Sequence, residues 1–266
     1  MRTGFLLAGV GAALIIILGI QFWPFSEEGA EDQPMPQDEM STPAENLPAA
    51  NATTQAPVVD NGDARPDEAL PEPILPPLSE SDAWVREALG EWSPPAEWLA
   101  REELISRLSV VLQNAAQGQL PRRQLSFLAP SEVFPVVKEG EVIFADPAGY
   151  ARYTPYLDLL EKMPPARAAQ LFNQMEPLVM EAFALLGERT PLQNTLQAAA
   201  SQIEALPELN APVMLVQPNV MYLYADPELE SRSELDKQLL RMGPDNVRRF
   251  KAYVAEFMAF YSSQTN

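Results

Sequence analysis

Residues 144–165 read FADPAGYARYTPYLDLLEKMPP, and residues 224–244 read YADPELESRSELDKQLLRMGP. Both runs follow a segment rich in β-branched and aromatic residues, and both contain Ala-Asp-Pro, then a Leu pair, then a Met shortly before a Pro. Asp is a favoured helix N-cap and Pro a favoured first helical residue, so Asp146 and Asp226 are predicted to cap helices that begin where a strand ends. The pattern predicts a strand–helix–helix unit that occurs twice, offset by about 80 residues, with β segments that pair. Independent convergence on the same capping chemistry is the alternative.

The periodicity of apolar residues around these runs predicts a mainly α fold, of the α+β kind, with a minor β-hairpin or small sheet. A hairpin is expected at residues 134–144, turning at Glu139-Gly140, and a second strand-like run at residues 213–224. Pro155 and Pro177 lie inside expected helices and predict kinks or breaks there. The helices are expected near residues 83–92, between Pro95 and Gly118, and near 147–163, 165–186, 191–206, 227–242 and 244–261.

The N-terminal segment has the composition of a membrane anchor. Residues 4–23 read GFLLAGVGAALIIILGIQFW, twenty residues without a charged side chain. A helix of this length rises about 30 Å, which matches the hydrocarbon core of a lipid bilayer. Residues 1–25 are therefore predicted to be a transmembrane anchor, in which residues 4–23 form the one helix that crosses the membrane. A cleaved signal peptide is the alternative, although its apolar region is usually shorter, about 7–15 residues.

The charges that flank this segment predict its orientation. Arg2 precedes the apolar run, whereas Glu27 and Glu28 follow it. Positive charge is retained on the cytoplasmic side of a membrane. We therefore expect the N-terminus in the cytoplasm of a bacterium, the anchor in the inner (cytoplasmic) membrane, and the C-terminal domain in the periplasm.

Residues 26–77 are predicted to be a disordered, acidic, proline-rich linker. They contain twelve acidic residues, one basic residue and ten prolines. Such a composition buries too little apolar surface to offset the conformational entropy lost on folding. Residues 78–266 are then the helical globular domain, which is long enough to hold one hydrophobic core.

The composition excludes several kinds of chemistry. The chain has no cysteine and no histidine, so thiolate nucleophiles, imidazole bases and the metal sites built on either side chain are impossible. No metal or cofactor is predicted. A net charge of −19 argues against nucleic acid as a partner. Paired carboxylates are the remaining acid–base groups, and the close pairs are Glu102 with Glu103, Glu139 with Glu141, and Glu228 with Glu230.

Two clusters of basic residues are candidate partner-binding sites in this acidic chain. Arg122 and Arg123 follow a proline in an expected loop, and Arg248 and Arg249 lie on the last expected helix. Because the arginine side chain matches carboxylates in a two-pronged geometry, these residues could bind an anionic partner or the carboxylates of a cell-wall peptide. Surface ion pairs within the domain are the alternative.

Three separated runs carry a resemblance to a known family. They are FADPAGYARYTPYLDLLEKM, LVQPNVMYLYADPELE and LLRMGPDNVRRFKAYVAEF, and they resemble an uncharacterised bacterial family built as a membrane anchor, a proline-rich tether and a domain of unknown function. The resemblance covers roughly residues 75–262. It implies topology and domain limits, and it implies no reaction and no catalytic residue.

Two functions from different classes follow from these expectations. The first is a non-enzymatic envelope protein whose periplasmic domain docks another envelope protein or a cell-wall partner. The alternative is a carboxylate-dependent hydrolase that acts on cell-wall polymer. A broad apolar surface ringed by polar groups would favour docking, whereas a cleft with two facing carboxylates would favour the hydrolase.

Overall fold

The computed structural model describes residues 75–96, 99, 102–122, 124, 134–209 and 213–265. The predicted anchor, residues 1–25, and nearly all of the predicted linker, residues 26–77, lie outside this part of the chain. Among the described residues, no helix combines the length and the apolar composition that a bilayer-spanning segment needs.

The described residues form a mainly helical fold with one small sheet, as the sequence predicts. Short 3-10 turns lie at Leu78–Glu80, Gly90–Trp92 and Pro147–Arg152. The strands are β1 (Val136–Glu139), β2 (Val142–Ala145), β3 (Met214–Val216) and β4 (Leu223–Tyr224). The helices are α1 (Ser81–Leu89), α2 (Leu104–Ala116), α3 (Thr154–Lys162), α4 (Pro165–Leu185), α5 (Leu192–Glu204), α6 (Pro227–Glu230), α7 (Glu234–Leu240) and α8 (Pro244–Thr265).

Four of these helices build the core. α4 packs along α8, α2 lies against α4 and α5, and α5 lies against α8, so the four helices close a ring around their buried side chains. Aromatic residues link α4 to α8, because the rings of Phe172 and Phe257 meet edge to face at 5.3 Å between centroids. Tyr261 stacks on Phe257 one helical turn further on. Apolar burial of this kind is the main stabilising contribution in a helical domain.

The four strands form one antiparallel sheet in the order β1-β2-β3-β4. The predicted hairpin is confirmed: Val136 pairs with Ala145 and Glu139 with Val142, and Gly140 supplies the positive φ, +64°, that the turn requires. The strand-like run at residues 213–224 forms a second hairpin instead of one strand. The reason is the turn at residues 217–222. It contains Pro218, which has no N–H to donate to a sheet, and the Asn219 side chain accepts from Met221 N at 2.9 Å.

The two Asp-Pro segments adopt the same local structure. Asp146 Oδ1 accepts from Ala148 N, and Asp226 Oδ1 accepts from Glu228 N, both at 2.8 Å. Each leads through a short helical turn into α3 or α7, and each then reaches a buried Met before the proline that begins α4 or α8. Their β segments pair, since β2 is antiparallel to β3. A common ancestry of the two segments stays a prediction.

The start of α2 differs from the sequence prediction. The helix begins at Leu104 and not just after Pro95. Asp82 explains the position, because its carboxylate accepts from Glu103 N and Leu104 N, both at 2.8 Å, and so satisfies two amides at the helix start. Asp82 itself lies in α1, so a side chain of one helix caps the start of the next.

Two expected helices are divided. Residues 147–163 form a 3-10 turn and then α3, with Pro155 in the first turn of α3, where its missing N–H costs no helical hydrogen bond. Residues 227–242 divide at Ser233, whose Oγ accepts from Asp236 N at 3.0 Å and caps α7. Pro177 differs from Pro155, because α4 continues through it without a break.

Candidate functional site

The structure does not bring the predicted arginines together. The Arg249 guanidinium contacts both Glu161, at 2.6 and 2.8 Å, and Asp158, at 2.6 Å. These hydrogen bonds link α8 to α3 and raise the pKa of Arg249, with the larger part from Glu161. The Arg249 side chain is therefore bound to acidic residues of its own domain.

The other three predicted arginines occupy different surroundings. Arg122 lies 3.4 Å from Glu234, and both side chains reach solvent. Arg123 lies outside the described residues. Arg248 is 71% exposed and forms an ion pair with Asp245, one helical turn away, at 2.9 Å. Among the predicted arginines in the described part of the chain, Arg248 is the one that lines a large surface depression.

That depression is an open channel between α5 and α8, which we name the α5–α8 groove. Its volume is about 590 Å³, within the range of ordinary ligand sites. Its floor is apolar, and Ile203, Val247 and Val254 are almost fully buried there. The remaining apolar residues of the floor are Ala200, Leu209 and Met258.

The two walls of the α5–α8 groove carry opposite charges. Arg248 stands on the α8 wall beside the small residues Ala252 and Ala255, whereas Glu204 and Glu208 stand on the α5 wall and the loop that follows it. The cationic Lys251 also lines the groove, and its Nζ donates to the carbonyl of Leu206 at 3.0 Å. The groove therefore combines an apolar floor with a polar rim of both signs.

The floor lies directly over the centre of the four-helix core. A small internal space of about 20 Å³ between α2, α5 and α8 shares four lining residues with the groove. These shared residues are Ala200, Ile203, Val254 and Met258. An apolar group seated on the floor would thus contact side chains that already belong to the core.

The outer face of the sheet is a second apolar surface. Val137, Val142, Met214 and Val216 are 39 to 49% exposed on it. They share one face because Val137 lies opposite Phe144 and Phe144 lies opposite Met214. Exposed antiparallel sheets usually present polar residues on the solvent side. Among the described residues of the sheet, Glu139 lies on this face as well, because it pairs with Val142.

The predicted carboxylate pairs do not converge on a cleft. Glu102, Glu103, Glu139, Glu141 and Glu228 are exposed. Glu230 is half-buried and already bound, because it accepts from Lys237 Nζ and from Tyr224 N, both at 2.9 Å. Within the described ranges, no three acidic side chains cluster closely enough to hold a metal ion.

Sequence reasoning missed the groove for a physical reason. The residues of its floor recur at helical spacing, which is the pattern of any core-facing stripe. Whether a neighbouring helix covers such a stripe depends on tertiary packing. The one available signal was the pair Ala252 and Ala255, small residues where a fully buried helix face usually carries larger side chains.

Comparisons with known proteins place this architecture in a family. A family model described as "Protein of unknown function (DUF3014)" matches residues 104–258. The matched region runs from the first residue of α2 into α8, so it includes the sheet and both walls of the α5–α8 groove. No curated protein and no solved structure gave a match.

Proposed function

This chain belongs to the DUF3014 family of proteins of unknown function, and on that premise we propose that it is a membrane-anchored docking protein of the bacterial envelope. In this proposal residues 4–23 hold the chain in the inner membrane, residues 26–77 set its reach, and the folded domain binds a partner in the periplasm. The α5–α8 groove is the observation that supports the docking role.

The shape of the groove suits an amphipathic helix. Along α8 its lining runs from Pro244 to Met258, which is about 21 Å at 1.5 Å per residue, or four helical turns. A helix that lays an apolar stripe on the floor would bury it against Ile203 and Val254. Ala252 and Ala255 would allow its backbone to approach α8 closely.

The charges of the walls would orient that helix. Acidic side chains on one flank of the partner face Arg248, and basic side chains on the other flank face Glu204 and Glu208. Reversing the helix would put like charges side by side, which disfavours the wrong orientation. The partner class is therefore an envelope protein with an amphipathic helix whose two flanks carry opposite charges.

The alternative function is a carboxylate-dependent hydrolase of cell-wall polymer. It needs two carboxyl groups that face each other across a cleft, with separations of about 5–10 Å depending on mechanism. The close glutamate pairs found in the sequence are exposed or, for Glu230, held in an ion pair. This arrangement favours docking over hydrolysis.

Two exposed alanines on α8 allow a matched test. Ala252 lines the groove and Ala259 does not, although both are exposed on the same helix. A photo-crosslinking amino acid is placed at either position in the full chain, in cells of the bacterium that makes it, and the crosslinked peptides are mapped by mass spectrometry. We expect position 252 to capture an envelope protein through an amphipathic helical segment, and position 259 to capture none.

A synthetic peptide of the captured segment then tests the groove directly. We expect Ala252→Trp, which fills the groove, to weaken peptide binding to the full chain by at least about tenfold, and Ala259→Trp to leave it unchanged. Equal binding by the two variants, or equal capture at the two positions, would show that the groove is not the docking surface.

A further inference from the structure

A second, smaller cleft opens between the inner face of the sheet and the end of α7. We name it the Arg241 cleft. Arg241 follows α7, Tyr224 ends β4, and Tyr150 comes from the 3-10 turn Pro147–Arg152. Leu215 of β3 and Leu240 of α7 complete the apolar part of its lining. This cleft shares no lining residue with the α5–α8 groove.

The guanidinium of Arg241 is largely unused by the protein. Arg241 is half-buried, and its one side-chain hydrogen bond within the described part of the chain runs from Nη1 to Gln238 Oε1 at 3.2 Å. No acidic residue of that part forms an ion pair with it. A guanidinium has five N–H donors, so most of them remain available.

The unused donors of Arg241 are open to solvent. Buried side-chain nitrogen and oxygen atoms that have no partner occur at a few described residues, and Arg241 is not one of them. Since only Nη1 has a partner in the described part of the protein, the remaining donors keep some exposure to solvent, and Arg241 is one of the residues that line the cleft. A ligand that enters the cleft can therefore accept hydrogen bonds from them.

The described surroundings of Arg241 are mostly apolar and aromatic. Two carboxylates lie near the tyrosines of the cleft, Asp146 near Tyr150 and Glu230 near Tyr224. Burial raises the pKa of Tyr224 to about 12, although nearby Arg241 acts in the opposite direction, so the phenol is neutral at ordinary pH. Its hydroxyl donates to the carbonyl of Lys237 at 3.2 Å. The acidic side chain beside Tyr224 is Glu230, and its charge is matched by Lys237 at 2.9 Å.

The size of the cleft limits what can enter. Its volume of about 20 Å³ exceeds the roughly 10–15 Å³ that one water molecule needs and is far below the several hundred cubic ångströms of a metabolite site. Only the tip of a larger molecule fits. An anionic tip that is small, flat and two-pronged is a carboxylate, and this is the group that a guanidinium binds through two parallel hydrogen bonds.

We propose that the Arg241 cleft binds one carboxylate group of a partner polypeptide, supplied either by its C-terminus or by an aspartate or glutamate side chain. The bulk of the polypeptide stays outside, against the rims formed by Tyr150 and Tyr222. Because this site is separate from the α5–α8 groove, it stands or fails independently of the helix-binding proposal.

Small probes test the carboxylate directly. The full chain, in lipid nanodiscs and labelled with ¹³C in its tyrosine rings, is titrated with acetate and, at equal ionic strength, with the neutral isostere acetamide. We expect acetate to shift the ring signals of Tyr150, Tyr222 and Tyr224, and acetamide to leave them in place. Inorganic phosphate is the third probe, and tighter binding of phosphate than of acetate would overturn the carboxylate assignment.

Variants of Arg241 supply the second test. Arg241→Gln should abolish the acetate shifts, whereas Arg241→Lys keeps the charge without the two-pronged geometry and should weaken binding by about tenfold. Arg189→Gln is the control, because Arg189 is exposed in the loop after α4. If the Gln variant fails to fold, the Lys variant decides. Acetate shifts of wild-type size in either folded Arg241 variant would refute the proposal.

Two short peptides identify the source of the carboxylate. N-acetyl-Ala-Ala offers a free C-terminus. N-acetyl-Glu-amide has both ends blocked and offers a side-chain carboxylate only. The peptide that produces the same tyrosine shifts at the lower concentration names the source. Failure of both peptides, with acetate still binding, would mean that the mouth of the cleft does not admit a polypeptide.

Discussion

Replacing Gly243 by alanine should destabilise the domain far more than the same change at Gly187. Both glycines have a left-handed backbone, with φ of +81° at Gly243 and +78° at Gly187. A Cβ atom at Gly187 would meet nothing within 4 Å, whereas one at Gly243 would overlap the ring of Tyr150. The two variants therefore share the backbone cost and differ in the steric overlap.

The magnitudes follow from these two contributions. A left-handed conformation costs an alanine roughly 1 kcal/mol relative to glycine. Overpacking a tightly filled site adds about 1–3 kcal/mol. We expect Gly187→Ala to lower the free energy of unfolding by about 1 kcal/mol and Gly243→Ala by about 3 kcal/mol. For a domain of this size each kilocalorie corresponds to about 2–4 °C in Tm.

Urea and thermal unfolding of the full chain, followed by far-ultraviolet circular dichroism, measure both values. Combining Gly243→Ala with Tyr150→Ala removes the ring that the new methyl group would strike. The cost of Gly243→Ala measured in the Tyr150→Ala background should then fall, but stay above that of Gly187→Ala, because Tyr150→Ala retains a Cβ atom that lies 2.9 Å from the new methyl carbon. Equal costs at the two glycines, or no relief in the double variant, would refute the steric reasoning.

Four further predictions use other contacts. Asp82→Ala removes the acceptor of two amides at the start of α2 and should cost about 2–3 kcal/mol in urea unfolding, whereas the exposed Glu87, which lies with Asp82 in α1, should tolerate alanine within about 0.5 kcal/mol. Arg249→Gln breaks a solvent-exposed link between α8 and α3. It should lower the free energy of unfolding by about 1 kcal/mol, and this loss should be smaller in high salt. Burial raises the pKa of Tyr224 to about 12 from an unfolded value near 10, so stability should be constant below pH 10 and fall as the pH rises toward 12, as an alkaline unfolding titration would show. If residues 4–23 anchor the chain as proposed, a C-terminal alkaline phosphatase fusion should be active and the mature chain should keep residues 4–23, and activity of a cytoplasm-only reporter at that terminus would contradict this.

Most of the features that the sequence predicted depend on contacts between residues that are close together in the chain. The hairpin at Glu139-Gly140 and the helix starts at Asp146 and Asp226 depend on residues within a few positions of each other, and all three have the local geometry that their sequences indicate. Where a contact joins distant residues, the prediction was incomplete. The start of α2 depends on Asp82, which lies 21 residues before Glu103 and 22 residues before Leu104. No pattern among neighbouring residues indicates such a distant partner.

The candidate sites were harder to predict, because a side chain's role depends on what lies opposite it. Arg248 and Arg249 are neighbours in sequence, yet one lines the α5–α8 groove and the other is bound to Glu161 and Asp158. In the sequence Arg241 is a single basic residue after a helix, and such a residue indicates no binding site by itself. The fold shows that it lines a cleft and that, among the described residues, no carboxylate forms an ion pair with it.

The lengths of the four core helices explain why the groove exists. α4 and α8 have 21 and 22 residues, whereas α2 and α5 have 13 each. At 1.5 Å per residue, the shorter pair covers about 20 Å of a longer pair that extends about 32 Å. Among the described residues, α5 ends at Glu204, and the groove lies beside α8 along the last turns of α5 and the loop that follows. Apolar surface that the described residues leave uncovered on a helix suits another helix. If the groove binds a helix as proposed, the opposite charges of Arg248 and Glu204 would restrict which helix can bind.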